Sequence, residues 1–310
     1  HQGPPLGSAS RVKMPTDDHI YVVNGFYAQM RGKYTKPGSS IYYFSVSWNS
    51  AVLSWADFRS SVLGATDPDQ AQAGSLRREI CMRWEALGLP GRPTTGDNGV
   101  HGSAGAFEGL AERCNWLDAV LEEDETGQAL LRAGVRKETL KAWMKDPQVD
   151  FDGEMKSLFD SMEDLSVTET LKMAQKLGGD PFEDTPNFHT NQAFIFIKPH
   201  ANNEQVKALV KDSLRSMSIA IHDEGTISSA EITAKKLIDN HYYAIANKAS
   251  LSKPVELNPP AGKLADFTGK FGITWSEALA EGVVYNAVDA CDVLGVDGEE
   301  LEQVWRVAQT

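Results

Sequence analysis

The chain has 310 residues, of which 41% are hydrophobic and 24% are charged, a composition typical of a globular protein with a substantial core. Its formal net charge of −13 argues against a nucleic-acid binder, because contacts with a phosphate backbone need clustered Lys and Arg. Its apolar runs are too short to span a bilayer, and its three scattered cysteines predict no disulfide framework. We therefore expect no membrane partner, no signal peptide and a reducing, cytoplasmic compartment.

The first half of the chain alternates helical and strand-like patterns. Residues 1–18 are rich in Gly, Pro and Ser, which predicts an extended segment. The sequence opens on His rather than an initiator Met, which suggests a processed or truncated start. The predicted elements that follow are a helix over 23–36, a strand over 41–48, helices over 53–63 and 75–87, a strand over 99–103 and a helix over 107–121.

The second half opens with an acidic segment, residues 122–180, which is rich in Leu and Met and helical in period. Residues 181–191 follow as a predicted linker. The predicted elements after it are a strand over 193–198, a helix over 204–216, a strand over 217–222, a helix over 228–243 and helices over 273–309. The Pro- and Gly-rich residues 250–270 lie between the helix over 228–243 and the helices over 273–309.

A candidate nucleophile, His101, lies in the run NGVHGS over residues 98–103. A lone histidine after an apolar pair is more often structural than catalytic. Here it follows Arg59, a loop that contains Thr66, and Arg77. Phosphoryl transfer needs cations on the phosphate oxygens and a positioned nucleophile, and imidazole serves when a partner such as Glu112 holds its second nitrogen.

These runs together resemble the signature of the nucleoside diphosphate kinase family. The resemblance is carried by RSSVLGATDP over 59–68, GSLR over 74–77 and NGVHGS over 98–103, in the family's order and spacing apart from an insertion at 90–97. Further matches are NGFYAQM over 24–30, which is similar to the base-stacking helix, FIFIKP over 194–199, which is similar to the first strand, and the His241-Tyr242 pair.

The resemblance implies a role for each matched residue. His101 would take the γ-phosphate of a nucleoside triphosphate and pass it to a nucleoside diphosphate, oriented by Glu112 and assisted by Ser103 and Tyr242. The residues that the resemblance assigns to nucleotide binding are Arg59, Thr66 and Arg77 on the phosphates, Lys198 and Asn98 on the sugar, and Phe26 on the base. Mg²⁺ would arrive with ATP rather than occupy a metal site of the protein.

The order of the two halves is reversed relative to the family. The implied fold is an α/β (α+β) ferredoxin-like, four-stranded antiparallel sheet with helices, circularly permuted and carrying helical extensions. It divides the chain into an extended segment (1–18), the His half (19–121), a helical bridge (122–190), the Lys half (191–250) and a helical extension (251–310). The alternative is one unit of a tandem array in which each half completes a neighbour's fold.

Some matched positions depart from the family. Ala104 stands where the family commonly has an acidic residue, and His200 stands where it usually has Asp. A non-catalytic scaffold that keeps the fold, for example in a cilium or flagellum, is therefore the alternative to an active kinase. The resemblance suggests a homo-oligomer or a neighbouring tandem unit as the protein partner, besides the nucleoside tri- and diphosphates.

Overall fold

The computed structural model describes residues 9–13, 19–177 and 189–307. The chain divides into two compact units: residues 38–231, which we call the sheet unit, and residues 1–37 with 232–310, which we call the terminal unit. The predicted linker at 181–191 lies almost wholly outside the described residues. Among the helices that are described, none is both long and apolar enough to cross a bilayer.

The structure is mixed α/β with antiparallel sheets and many helices. Its strands are β1 (Ala9–Lys13), β2 (His19–Val23), β3 (Ser40–Asn49), β4 (Val100–Gly102), β5 (Gln148–Phe151), β6 (Glu154–Ser157), β7 (Thr190–Ile197), β8 (Ala220–Ser228) and β9 (Val284–Asn286). Its α-helices are α1 (Phe26–Thr35), α2 (Trp55–Asp57), α3 (Leu76–Met82), α4 (Ala106–Trp116), α5 (Glu125–Arg132), α6 (Lys137–Trp143), α7 (Leu158–Ser161), α8 (Val167–Lys176), α9 (Glu204–Ser216), α10 (Ser229–Ala234), α11 (Leu237–His241), α12 (Tyr243–Ala246), α13 (Ala261–Phe271), α14 (Trp275–Ala280), α15 (Ala287–Leu294) and α16 (Gly298–Val307).

The sheet unit is built on a four-stranded sheet in the order β4-β7-β3-β8. Every neighbouring pair is antiparallel, so the predicted four-stranded antiparallel sheet is confirmed. Strand β7 lies inside the sheet, and residues 193–197 are completely buried. The continuous apolar run AFIFI is what a strand covered on both faces requires.

Strand β8 is shifted from its predicted position at 217–222. Helix α9 runs to Ser216, and Ser218 then adopts a left-handed backbone with φ 56°, so the strand cannot begin before the turn ends. It continues to Ser228 because it stays paired with β3 as far as Ser40. Its charged, exposed sequence suits an edge strand and conceals its length in the amino-acid pattern.

Helices cover both faces of this sheet. One face forms a core with α3 and α9, in which Phe44 and Ile195 of the sheet pack with Leu76, Val206 and Val210. On the other face, the ring of Trp116 in α4 stacks on that of Phe194 with centroids 5.9 Å apart. Helix α4 is therefore held against β7, the strand beside β4.

The segment from 122 to 177 is mostly helical, as predicted, and packs its own apolar core against α4 through Phe107 and Leu110. It also contains a hairpin, β5-β6, that the helical period does not predict. The hairpin turns at Asp152 (φ 53°) and Gly153 (φ 85°). An Asp-Gly pair with two positive φ angles is a strong two-residue hairpin turn, which outweighs the local helical spacing.

The terminal unit joins the two ends of the described chain. Strand β2 pairs antiparallel with β1 and parallel with β9, a strand missed by the helical prediction for 273–309. Helix α1 lies so close to α16 that a Cβ on Gly25 would come within 2.5 Å of the Trp305 ring. Segments that are far apart in sequence thus share one core, which includes Val22, Tyr27 and Leu301.

A buried carboxylate, Asp239, links three segments of the terminal unit. It accepts hydrogen bonds from Tyr27 Oη (2.9 Å), Arg31 Nε (3.0 Å) and Ser250 Oγ (2.7 Å). Its side chain is only 2% exposed, against 19% for Arg31. Because a buried carboxylate needs both a counter-charge and donors, this network holds α1 against α11.

Replacing Asp239 with Ala should lower the free energy of unfolding by about 3 kcal/mol, because it leaves the Arg31 guanidinium and Tyr27 hydroxyl without their acceptor. Urea unfolding followed by circular dichroism measures the change. The matched control is Glu204→Ala, which removes an exposed partner of Lys207 and should cost less than about 1 kcal/mol. Equal losses in the two variants would contradict this account of the network.

Candidate functional site

His101 lies on β4, opposite Phe196 of β7 in the strand register. Its imidazole stacks on the Phe196 ring with centroids 4.7 Å apart and an interplanar angle of 27°. Gly99 leads into the strand with φ +87°, and a Cβ there would come within 2.9 Å of the Ile80 side chain. Position 99 therefore requires a glycine, because the backbone there has a positive φ and passes close to α3, two residues before His101.

A chain of hydrogen bonds runs from the histidine into the interior. His101 Nε2 lies 2.5 Å from Glu112 Oε1, and the Ser103 hydroxyl donates to Glu112 Oε2 at 2.5 Å. Glu112 is only 4% exposed. The structure thus brings together three of the predicted catalytic residues, His101, Ser103 and Glu112. Glu112 lies on α4, the helix that follows β4. Because Glu112 engages Nε2, any nucleophilic attack by this ring would have to come from Nδ1.

Ser103 is tied to β7 at several atoms. Its backbone N–H donates to the Phe194 carbonyl at 3.1 Å, and its hydroxyl oxygen accepts from the Phe194 N–H at 2.9 Å. Its own carbonyl accepts from Trp55 Nε1 at 3.1 Å. The serine that orients Glu112 is therefore itself fixed by the central part of the sheet.

Burial sets the protonation of this site. It lowers the pKa of His101 well below its ordinary value, and the positive charges of Lys198, Arg77 and Arg59 lower that pKa further. Burial also raises the pKa of Glu112 to about 8, although its bond from Ser103 acts in the opposite direction. At neutral pH the imidazole is therefore not a cation, and the carboxyl competes for the shared proton.

A second carboxyl, that of Glu108, is partly buried one turn before Glu112 on α4. It accepts a hydrogen bond from the Ala104 N–H, and burial, with the neighbouring Glu112, raises its pKa to about 8. Ala104 itself carries no acidic side chain where the resemblance leads one to expect it. Instead, the carboxyl group of Glu108 on α4 contacts the backbone N–H of Ala104.

Arg77 and Lys198 hold the segments around His101. Arg77 donates to the carbonyls of Gly64 (2.7 Å) and Val100 (3.2 Å), so it joins the Thr66 loop to β4. Lys198 donates its backbone N–H to the Gly99 carbonyl at 2.9 Å, and its ammonium lies 3.3 Å from the Gly96 carbonyl. Both predicted phosphate and sugar ligands therefore lie beside the histidine strand.

His200 was noted in the sequence only as a departure from the family. In the structure its Nε2 accepts the Gly99 N–H at 3.1 Å, and its Nδ1 lies 3.7 Å from Asp97 Oδ1. It supports the turn before β4. Only the three-dimensional fold reveals the bond between Gly99 and His200, because the two residues are 101 positions apart in sequence.

Asn98 is buried beside Thr66, and its Nδ2 donates to the Thr66 carbonyl at 3.0 Å. Its Oδ1 is buried and has no hydrogen-bond donor within the described residues. A buried acceptor without a donor is costly, which makes this oxygen a candidate to receive a hydroxyl from a bound molecule.

Arg59 is engaged by two carboxylates that the sequence analysis did not single out. Its guanidinium contacts Glu163 at 2.6 Å and Asp164 at 2.8 Å. The same loop is anchored beside the site, because the Asp164 N–H donates to the Ala104 carbonyl at 2.8 Å. Glu163 and Asp164 belong to an acidic run that resembles a solvated helix surface, so its pattern contains no signal for this contact.

Two predicted site residues, Phe26 and Tyr242, belong to the terminal unit. The Phe26 ring lies 5.9 Å from that of Trp305, and Tyr242 packs against the same apolar core. The roles predicted for them, base stacking and assistance at the phosphate, rest on the resemblance.

The site of the sheet unit combines a neutral, carboxylate-held histidine with nearby cationic side chains. Such an arrangement suits nucleophilic attack on a strongly anionic group. Comparisons of the chain with family models, with curated proteins and with solved structures found no match.

Proposed function

We propose that the protein is a nucleoside diphosphate kinase that works through a phosphohistidine at residue 101. The observation that carries the proposal is the Ser103–Glu112–His101 chain of hydrogen bonds, beside the charges of Lys198, Arg77 and Arg59. The carboxyl group of Glu112 holds one ring nitrogen, and the cations favour a polyanionic substrate. Both features are what a histidine needs in order to accept a phosphoryl group.

In the proposed first step, His101 Nδ1 attacks the γ-phosphorus of a nucleoside triphosphate. A P–N bond forms, the bond from the γ-phosphorus to the bridging oxygen breaks, and the nucleoside diphosphate leaves. In the second step a terminal oxygen of another diphosphate attacks the same phosphorus, and the P–N bond breaks. Once the Glu112 carboxyl has lost its proton, it accepts a hydrogen bond from Nε2–H, so the ring keeps one orientation and Nδ1 carries the lone pair.

The surrounding residues would bind the nucleotide. Arg77 and Arg59 carry the charge that phosphate oxygens require, the Thr66 hydroxyl would add a hydrogen bond, and Lys198 follows the last residue of β7. Asn98 Oδ1, which is buried and lacks a donor within the described residues, would accept a sugar hydroxyl. Mg²⁺ carried by the nucleotide would neutralise charge on the phosphates.

The fold supports the proposal at a coarse level. The four strands predicted for a ferredoxin-like sheet do pair in one antiparallel sheet. The permuted kinase fold itself remains part of the proposal. Closure within a single chain, rather than between tandem neighbours, is supported by the terminal unit, in which residues near both ends of the described chain share one core.

The direct test is phosphoryl transfer. Incubation with ATP labelled at the γ-phosphate should label the protein, and added GDP should remove the label as GTP within one turnover. His101→Ala should abolish labelling, because it removes the nucleophile. His222→Ala is the matched control: that histidine is exposed and bonded to Ser47, so its loss should leave labelling unchanged.

A folded wild-type protein that takes up no label would overturn the proposal. ATP or ADP binding without labelling, in the same preparation, would favour a scaffold that keeps a nucleotide site. Label that persists in His101→Ala would mean that another residue accepts the phosphoryl group.

The acidic pair on Arg59 gives a second prediction. A nucleotide phosphate must compete with Glu163 and Asp164 for the guanidinium, and exposed ion pairs contribute roughly 0.2–1 kcal/mol each. The double variant Glu163→Gln/Asp164→Asn should therefore bind ADP about two- to thirtyfold more tightly, as measured by isothermal titration calorimetry.

The control for this variant is Asp160→Asn, which neutralises an exposed carboxylate in the same segment. It should leave ADP affinity unchanged. Unchanged or weaker binding by the double variant would show that Glu163 and Asp164 do not compete with the nucleotide.

A further inference from the structure

The terminal unit contains a cavity of about 400 Å³ that takes no part in the proposed reaction. Its apolar lining residues include Val23, Leu264, Phe267 and Trp275. Sites for small molecules in proteins generally measure about 300–1,000 Å³ and are mostly apolar, with a few placed polar groups. This cavity has the size and the lining of such a site.

The charged groups that line the cavity are mainly cationic. They comprise the three lysines Lys248, Lys263 and Lys270 and one carboxylate, Asp266. Asp266 lies 3.3 Å from Lys263, and the Lys270 ammonium lies 5.3 Å from the centre of the Phe271 ring. In a chain whose net charge is −13, a lining with an excess of positive charge is a local exception. It favours an anionic occupant.

Lys248 is the most informative of the three. It is partly buried, and burial lowers the pKa of its ammonium. Within the described part of the chain, no ion pair or hydrogen bond engages this ammonium. A partly desolvated cation with no counter-charge is costly, and an anion in the cavity would remove that cost.

Helix α13 begins at the same cavity. Its first residues follow Pro259 and Pro260, both of which line the cavity, and no acidic side chain lies in its first turn. The partial positive charge of a helix N-terminus therefore adds to that of the lysines. The apolar lining residues and the cationic groups together define a ligand with an apolar body and an anionic head.

We propose that this cavity binds an amphipathic carboxylate, such as a fatty acid, with its chain against Phe267 and Trp275 and its carboxylate near Lys248. The proposal is independent of the kinase activity, because every residue that lines the cavity lies in the terminal unit and outside the histidine site.

The test is isothermal titration calorimetry of the whole chain with monomeric dodecanoate, dodecan-1-ol and dodecyltrimethylammonium. Dodecanoate should bind at least tenfold more tightly than the uncharged alcohol, and the cation should bind least. Lys248→Met, which keeps the apolar stem, should lower dodecanoate affinity about tenfold and leave dodecan-1-ol affinity unchanged. The control Lys36→Met replaces an exposed lysine outside the cavity and should change neither affinity.

A second variant, Leu264→Trp, fills the cavity and should abolish binding of all three ligands, with circular dichroism and a thermal melt confirming that it is folded. Equal affinities for the acid and the alcohol, or undiminished dodecanoate binding by Lys248→Met, would overturn the proposal. Co-sedimentation with phosphatidylglycerol vesicles without binding of monomeric dodecanoate would also overturn it, because that result would indicate a membrane surface rather than a single acid.

Discussion

The hydrogen bond from Ser103 to Glu112 is the interaction on which the candidate site depends. Ser103 is fixed to β7 through Phe194 and to Trp55 through its carbonyl, so the position of the serine is set by the sheet. It then holds Glu112, which holds His101. Since both carboxylate oxygens are engaged, Glu112 cannot rotate without breaking one bond. The orientation of the imidazole is therefore a consequence of strand pairing rather than of the histidine's own neighbours in sequence.

Much of the sheet unit could be predicted from the amino-acid pattern. The aromatic and β-branched run of β3 predicts a strand, and the uninterrupted apolar run of β7 predicts a buried strand. Helix α9 agrees with its prediction at both ends. The sequence also predicted Glu112, eleven residues after His101, as its hydrogen-bond partner, and the structure brings the two side chains together. These features succeed because their signals are local: period, composition and short spacing.

The features that escaped prediction are non-local or are set by a single turn. Strand β9 is short and finds its place only by pairing with β2, more than 250 residues earlier. The β5-β6 hairpin depends on Asp152 and Gly153, two residues inside a stretch of helical period. The ion pairs of Arg59 join it to residues more than 100 positions away. Periodicity contains no information about such contacts, whereas tertiary packing decides them.

The claim that Glu112 controls the reactivity of His101 is tested most directly by the pH dependence of labelling at the histidine. While Glu112 is protonated, its hydroxyl donates to Nε2 and the ring proton lies on Nδ1, which cannot attack. Once the pair loses a proton, Nε2–H donates to the carboxylate and Nδ1 has a lone pair. Burial raises the pKa of Glu112 to about 8, so the rate of phosphoenzyme formation should rise roughly fifteenfold from pH 6.5 to 8. Rapid-quench labelling across this range should show that rise in the wild type and a flat profile in Glu112→Gln. A flat wild-type profile, or the same rise in the variant, would contradict the account.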